Sequence, residues 1–354
     1  MKHVAMISIN GGGDAGGVER VVDEHRRILS RLARVRIFSL PQSGWVGRLR
    51  RVRALNALLM AGFPLLSSLG ARAWAGRKGV VISHGYSSTG AYCNFVFAHG
   101  CWAGYTRSTG LRSGLFGRAI LLYEWLSAHL AHRVVCVSDS VAEQWTNHYG
   151  LSARKTIILA NAVNTSIFRP LEGARNPGTG DKLQVLFVGR FEPAKGVAYL
   201  EKFHEEMDAA RDEISLCVCS PAPAPEWAQT RFPRFRFRCG LKPWELVEEY
   251  NKADVFLLPS LYEAFEMSTI EALACGTPVM LNRTGSRPTL EKLGCPCVYR
   301  IEEGGHPLGA VRKAAEKFRG LQRESIAAWT ELHFGTAKLE VRLAALCGLE
   351  IPAG

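Results

Sequence analysis

The sequence predicts an α/β chain of two doubly wound domains that face each other across a cleft, and three observations lead there. The chain has 354 residues, enough for two domains of ordinary size at roughly 150 residues each. Short apolar runs of β type alternate with longer helical patterns, as in a parallel sheet covered by helices. After a stretch rich in glycine and proline, Leu171 to Asp181, the same grammar begins again. Two tandem units of similar build imply a cleft between them.

In the first half the strands are expected at Val4–Ile9, Val35–Ser39, Val80–Ser83, Phe95–Ala98 and Val134–Ser138. Helices are expected from Gly17 to about Leu32, with Val18, Val21 and Val22 on one side, and from Leu115 to His132. The second half gives strands at Val185–Val188, Ile214–Cys219, Phe235–Arg238, Val255–Leu258 and Pro278–Leu281, with helices at Val197–Met207, Glu245–Asn251 and Met267–Cys275. The expected division is 1–172 for the first domain, 173–182 for a linker, 183–335 for the second domain, and 336–354 for a C-terminal helix that returns to the first.

Composition narrows the function classes. With 47% apolar and 21% charged residues the chain is neither disordered nor an evident integral membrane protein. The most membrane-like window, Leu55 to Trp74, contains Asn56, Gly62, Pro64, Ser67, Ser68 and Arg72, which argues against a spanning helix. Met1-Lys2-His3 leads into Val4 to Ile9, which reads as a first strand and lacks the longer apolar block and cleavage site of a secretory leader. Ten cysteines without CxxC pairs or histidine spacing predict reduced thiols and no zinc, and hence a cytoplasmic protein.

Charge is distributed unevenly. Residues 1–180 hold 22 Lys and Arg against 8 Asp and Glu, whereas the remainder holds 22 against 24. No acidic residue occurs from His25 to Tyr123, where fifteen Lys and Arg fall, including Arg48, Arg50, Arg51 and Arg53 beside Trp45, Leu49 and Val52. A merely solvated face mixes both signs. This half should be drawn to something anionic: phospholipid, lipid-linked phosphate or nucleic acid.

Ligands of open parallel sheets bind beyond the carboxyl ends of the strands, and three strand-to-helix turns carry the chemistry. Val188 to Gly196 places Arg190 and Lys195 on one glycine-containing loop, able to flank a diphosphate. Pro259 to Pro278 places Glu263 before a helix and Glu271 inside it, two carboxylates suited to paired hydroxyls beside amide groups suited to anionic oxygens. Asn10 to Arg20 is a glycine-rich turn joining the first strand to the first helix. It lacks the later acidic residue of a dinucleotide fingerprint but offers bare backbone. No Asp-x-Asp element is present to carry a divalent metal, so no cofactor and no metal are expected.

These segments, in this order, resemble the retaining glycosyltransferases of family 4, glycosyl transferases group 1. The resemblance runs through Gly16–Arg20, His99-Gly100, Val137-Ser138, Asn161–Asn164, Phe168–Pro170, Gly189–Gly196 and Gly240 to Ser260. It closes with the Glu263/Glu271 pair and Ala274–Pro278. It implies the GT-B fold, two Rossmann-like domains facing across an interdomain cleft. It implies that Arg190 and Lys195 hold a donor diphosphate, that Glu271 takes the ribose hydroxyls, and that Glu263 lies against the transferred sugar. Gly16 and Gly17 would close over the phosphates, His99 would lie beside the sugar, and Phe265, Glu266, Met267 and Ser268 would line the donor site. Asn161-Ala-Val-Asn164 replaces the family's usual Asn-Gly-Val-Asp. Glu266 stands at a commonly small position, and Gly285–Thr289 replaces a Gly-Gly-x-Pro-Glu loop.

The implied function is metal-independent, retaining transfer of a hexose-type sugar from a UDP- or GDP-sugar to a lipid-linked or lipid-anchored glycan in bacterial polysaccharide or lipopolysaccharide synthesis. The first domain would serve the acceptor, peripheral on the inner, anionic face of the plasma membrane. The alternatives are a soluble small-molecule acceptor and a non-catalytic basic binding protein. Nucleic acid is not expected as a partner, because no stacking module or helix-turn-helix accompanies the charge.

Overall fold

The computed structural model describes residues 1–13, 16–209, 214–282, 285–302 and 304–351, with the side chains of Arg53 and Ala54 left aside. The chain divides into two compact units, Met1–Asn161 with Leu339–Gly354, and Ala162–Lys338.

Unit 1 is a parallel sheet of β1 (His3–Ile7), β2 (Arg34–Phe38), β3 (Val80–His84), β4 (Phe95–Ala98), β5 (Arg133–Cys136) and β6 (Thr156–Ile158), in the order β2-β1-β3-β4-β5-β6. Its helices are α1 (Gly17–Leu29), α2 (Gly44–Leu49), α3 (Arg53–Ala75), α4 (Trp102–Thr109), α5 (Leu115–Leu130) and α6 (Asp139–Tyr149). Strands β1, β3 and β5 are almost wholly apolar and buried, as expected of strands covered on both faces. The window Leu55 to Trp74 forms most of α3, a helix with Pro64 inside it that packs on β1 and β3. No helix of the described residues is long and apolar enough to cross a membrane.

Unit 2 is a second parallel sheet, of β7 (Leu183–Val188), β8 (Ile214–Ser220), β9 (Phe235–Cys239), β10 (Val255–Leu258), β11 (Val279–Leu281) and β12 (Val298–Arg300), in the order β12-β11-β10-β7-β8-β9. The helices are α7 (Val197–Ala209), α8 (Glu226–Arg231), α9 (Pro243–Lys252), α10 (Met267–Ala274), α11 (Ser286–Lys292), α12 (Pro307–Lys317) and α13 (Arg323–Phe334). The last helix, α14 (Thr336–Cys347), begins in unit 2 and continues into unit 1. Both sheets are doubly wound and Rossmann-like. In unit 2 the strand order reverses between β7 and β10, and in unit 1 between β1 and β3, so those neighbours open the crevices in which such sheets bind ligands.

The expected linker is not one. Residues from Ala162 onward belong to unit 2, because distant groups pin them there. Val163 forms a bridge to Gly335, Leu171 N donates to Asn251 Oδ1 at 2.9 Å, and Arg175 pairs with both oxygens of Asp254 at 2.6 and 2.8 Å. The buried Arg323 then donates to the carbonyls of Arg175, Gly276 and Ala253 at 2.7, 3.2 and 2.6 Å. At the other end Leu339, Leu343, Ala344 and Cys347 are buried, and Lys2 Nζ donates to Cys347 O at 2.8 Å within unit 1.

Candidate functional site

The crevice of unit 2 is built by three loops that follow β7, β10 and β11. After β7 the chain makes one turn of 3₁₀ helix, Pro193–Lys195, and ends it at Gly196, whose φ of 82° lies in the left-handed region. Gly196 also has no room for a side chain, since a Cβ there would sit 2.2 Å from Pro259 O. That closeness lets Leu261 N donate to Ala194 O at 2.9 Å, joining the loop after β7 to the loop after β10. The third loop comes as near, because a Cβ on Gly285 would lie 1.7 Å from Ala264 O.

This stitching brings Lys195 and Glu263 together across 68 residues of sequence: Nζ donates to Oε1 at 2.5 Å, with side chains 22% and 12% exposed. The ammonium has three protons and uses one here, so two remain to reach a phosphate. Arg190, on the same loop, is 67% exposed and holds Glu192 at 3.2 Å.

Helix α10 starts at Met267 and Ser268, both half-buried, and has no acidic residue in its first turn. Its amide end carries the partial positive charge of a helix N-terminus, favourable to anionic oxygens. Glu271, one turn further on, is buried, and its Oε2 accepts the Tyr250 hydroxyl at 3.1 Å. Burial and the neighbouring carboxylate push the Tyr250 phenol far up, so it remains a donor and fixes Glu271 in place. Phe265 is buried with its ring 5.7 Å from Phe334.

Glu266, expected to line the donor site, is held by the protein itself. It is buried, and its carboxylate accepts from Thr269 Oγ1 at 3.0 Å, from Ser286 N at 3.3 Å and from Ser286 Oγ. A large acid is accommodated at a commonly small position because it ties the start of α10 to the start of α11. Nothing in the sequence pattern marks Ser286 or Tyr250 as partners, since each lies about twenty residues from its carboxylate and only the sheet order unites them.

Gly16, Gly17 and His99 belong to unit 1. Gly16 is the extended residue before α1, and Gly17 opens the helix, exposed. Asp14 and Ala15 of the same turn lie outside the described residues. Asn10 organises the turn, donating to Glu19 Oε1 at 3.1 Å and accepting from Arg50 Nη2 at 3.0 Å, so one cation of the basic cluster is structural. His99 follows β4, and its Nε2 lies 2.9 Å from Nδ1 of the buried His84, with the rings stacked at 5.2 Å. The His25 ring lies 5.3 Å beyond His84. Burial lowers His99 to about 4 and His25 to about 3 and takes His84 well below its ordinary value, so His99 is a neutral imidazole near pH 7.

The segment after His99 is held from below by Glu124 of α5. Its Oε2 accepts from Trp102 N at 2.9 Å and from the Tyr149 hydroxyl at 2.5 Å. Burial pushes this carboxyl from 4.5 up to about 7 despite those donors. A carboxyl raised in the folded state contributes stability that is full below its unfolded value and is lost as pH rises through the folded one. Unit 1 is therefore expected to lose about 3 kcal/mol between pH 4.5 and pH 8 from this group. Glu124→Gln should flatten that slope in denaturant titrations, and an unaltered slope would remove the assignment.

Among the described residues, Cys217, Cys219 and Glu249 form the one cluster with spacing for a metal ion. It does not fit a cation, because Arg236, Arg238 at 2.7 Å and Lys252 at 3.3 Å already surround the Glu249 carboxylate.

Residues 15–167 match the family described as Glycosyltransferase Family 4, and residues 182–298 match that described as Glycosyl transferases group 1. A D-inositol 3-phosphate glycosyltransferase of Geodermatophilus obscurus is 30% identical over 232 residues, 59% of this chain and 50% of that protein. The chain thus matches about half the length of such curated relatives. Among solved structures, sucrose-phosphate synthase from Thermosynechococcus elongatus superposes with a TM-score of 0.74 at 18% identity, covering 98% of both chains. The Anabaena protein HepE in complex with UDP-glucose gives 0.65 at 14% identity, covering 98% of this chain and 99% of that one.

Proposed function

We propose, because this chain belongs to the glycosyl transferases of group 1 and family 4 and has their GT-B fold, that it transfers a hexose-type sugar from a UDP- or GDP-sugar without a metal ion. The observation that carries this reading is the Lys195–Glu263 pair, fixed at the switch point of unit 2 by the Gly196 contact with Pro259 and close in sequence to the start of α10.

When a nucleoside diphosphate leaves an anomeric carbon, negative charge grows on the phosphate and the sugar takes on oxocarbenium character. Lys195 and the exposed Arg190 supply fixed positive charge to the phosphate, and the amide end of α10 adds its dipole. Glu263 faces the cationic sugar. Glu271, held by Tyr250, accepts the ribose hydroxyls. His99, neutral, meets a sugar hydroxyl. The departing phosphate takes the acceptor's proton on the face it leaves, and the anomeric configuration is retained. HepE, solved with UDP-glucose, supports the donor class.

The acceptor in this reading is a glycan on a lipid in an anionic leaflet, as in cell-surface polysaccharide or lipopolysaccharide synthesis. Support comes from unit 1, where α3 packs against α5 and both carry exposed apolar side chains: Leu65, Leu66 and Leu69 on one, Leu115, Leu122 and Trp125 on the other. Exposed Arg112 and Arg118 flank them. Apolar side chains beside arginines match a negatively charged lipid surface. A soluble phosphorylated acceptor is the second reading, favoured by the likeness to a D-inositol 3-phosphate glycosyltransferase.

One experiment tests both parts. The purified chain is offered a panel of UDP- and GDP-sugars in EDTA, with neutral or anionic vesicles carrying extracted glycolipid, and nucleotide release and sedimentation are recorded. Release from one donor that is unaffected by EDTA, with sedimentation on anionic vesicles alone, is expected. Abolition by EDTA would defeat metal independence, and equal binding to both vesicles would defeat the membrane assignment.

A further inference from the structure

We infer that His84 is a positioning residue which donates from Nδ1 to His99 Nε2 and so obliges His99 to carry its own proton on Nδ1. The two nitrogens are 2.9 Å apart, and a hydrogen bond between two neutral imidazoles needs one proton between them. Either ring could supply it, and the choice is made by the far side of His84.

There, Nε2 of His84 is buried without a hydrogen-bond partner among the described residues. The His84 ring packs with its centroid 5.2 Å from that of Phe97, at 24° between planes, and 5.3 Å from that of His25. If His99 were the donor, His84 would have to carry its proton on Nε2, burying an N–H with nothing to accept it. Orphaned buried N–H groups are among the rarest defects of folded proteins. With the proton on Nδ1, the buried Nε2 is an unpaired acceptor rather than an unpaired donor, a smaller loss. His99 then accepts at Nε2 and keeps an N–H at Nδ1. The hydrogen bond at one nitrogen of a histidine fixes the state of the other.

The consequence for the reaction rests on the reading that His99 meets a sugar hydroxyl. His99 acts there as a neutral hydrogen-bond donor through Nδ1 and is no general base. His84, which touches no reactant, sets that role from beneath.

The test is a long-range proton–nitrogen correlation spectrum of the whole chain labelled with ¹⁵N-histidine, His99 being assigned by its loss in His99→Gln. The expected pattern for His99 is a pyrrole-type Nδ1 and a pyridine-type Nε2. The reverse pattern would overturn the proposal, whatever the enzyme does. His84→Phe keeps a ring in the stack but removes the donor. His99 should then move toward the Nε2–H form that free imidazole prefers, with turnover falling about tenfold. His84→Asn, whose amide donor stands at the same distance from the backbone, should restore both. If the wild-type pattern is as expected but no donor is turned over, the transferase reading fails while the tautomer assignment stands.

Discussion

Lys195→Ala is expected to lower kcat/KM for sugar transfer by about 10²- to 10³-fold, the loss typical when one fixed group that stabilises a developing anion is removed. Most of the loss should fall on kcat, because the charge on the leaving phosphate peaks in the transition state. A second variant separates this from damage to the fold. In Lys195→Ala the Glu263 carboxylate, 12% exposed, loses the ammonium that sat 2.5 Å away. Stability should therefore fall as well, as it does when a largely buried charge loses its partner. Adding Glu263→Gln removes that charge and should recover the stability, yet turnover must stay low. Low turnover at recovered stability would show that the loss is not damage to the fold, and recovery of turnover in the double variant would overturn the roles assigned to both Lys195 and Glu263.

Gly196→Ala is the second large effect. Two independent costs fall on one methyl group: a left-handed backbone at φ 82° and a Cβ 2.2 Å from Pro259 O. Strain of the first kind and overpacking of the second together predict a loss of about 3 kcal/mol from unit 2. Nucleotide affinity should weaken too, since the same contact fixes Lys195 beside Glu263. Gly189→Ala is the control within the same loop. Its Cβ would meet nothing nearer than the Phe187 ring at 3.4 Å, so it should cost little. Equal midpoints for the two variants in urea would mean that the loop relaxes freely.

Much of the fold was legible because apolar runs bounded by turn residues survive burial on both faces. Phe95–Ala98 and Val255–Leu258 were read with the bounds they have, and others, such as Ile214–Ser220, to within a residue. Strand β6, only Thr156–Ile158, is absent from the strands expected from sequence even though Ile157 to Ala160 is an apolar run. Residues 171–182 misled for a physical reason. Gly173, Pro177 and Gly178 look like a linker, but the groups that anchor this stretch, Asn251, Asp254 and Arg323, lie some 75 to 150 residues away. The site was legible as a set of charged residues at strand ends. What the sequence could not convey was which carboxylates are occupied by the protein itself: Glu263 by Lys195, Glu271 by Tyr250 and Glu266 by Ser286.

The final helix bears on synthesis. Unit 2 is one continuous stretch, Ala162–Lys338, whereas unit 1 needs Leu339 onward to cover its surface near Lys2, Arg31 and Ile158. On the ribosome the middle of the chain can therefore finish folding before the beginning does, the reverse of the usual order for consecutive domains. Until Leu339 to Cys347 have been made, the sheet made first waits with one flank bare, and that nascent state is where a chaperone would find its substrate.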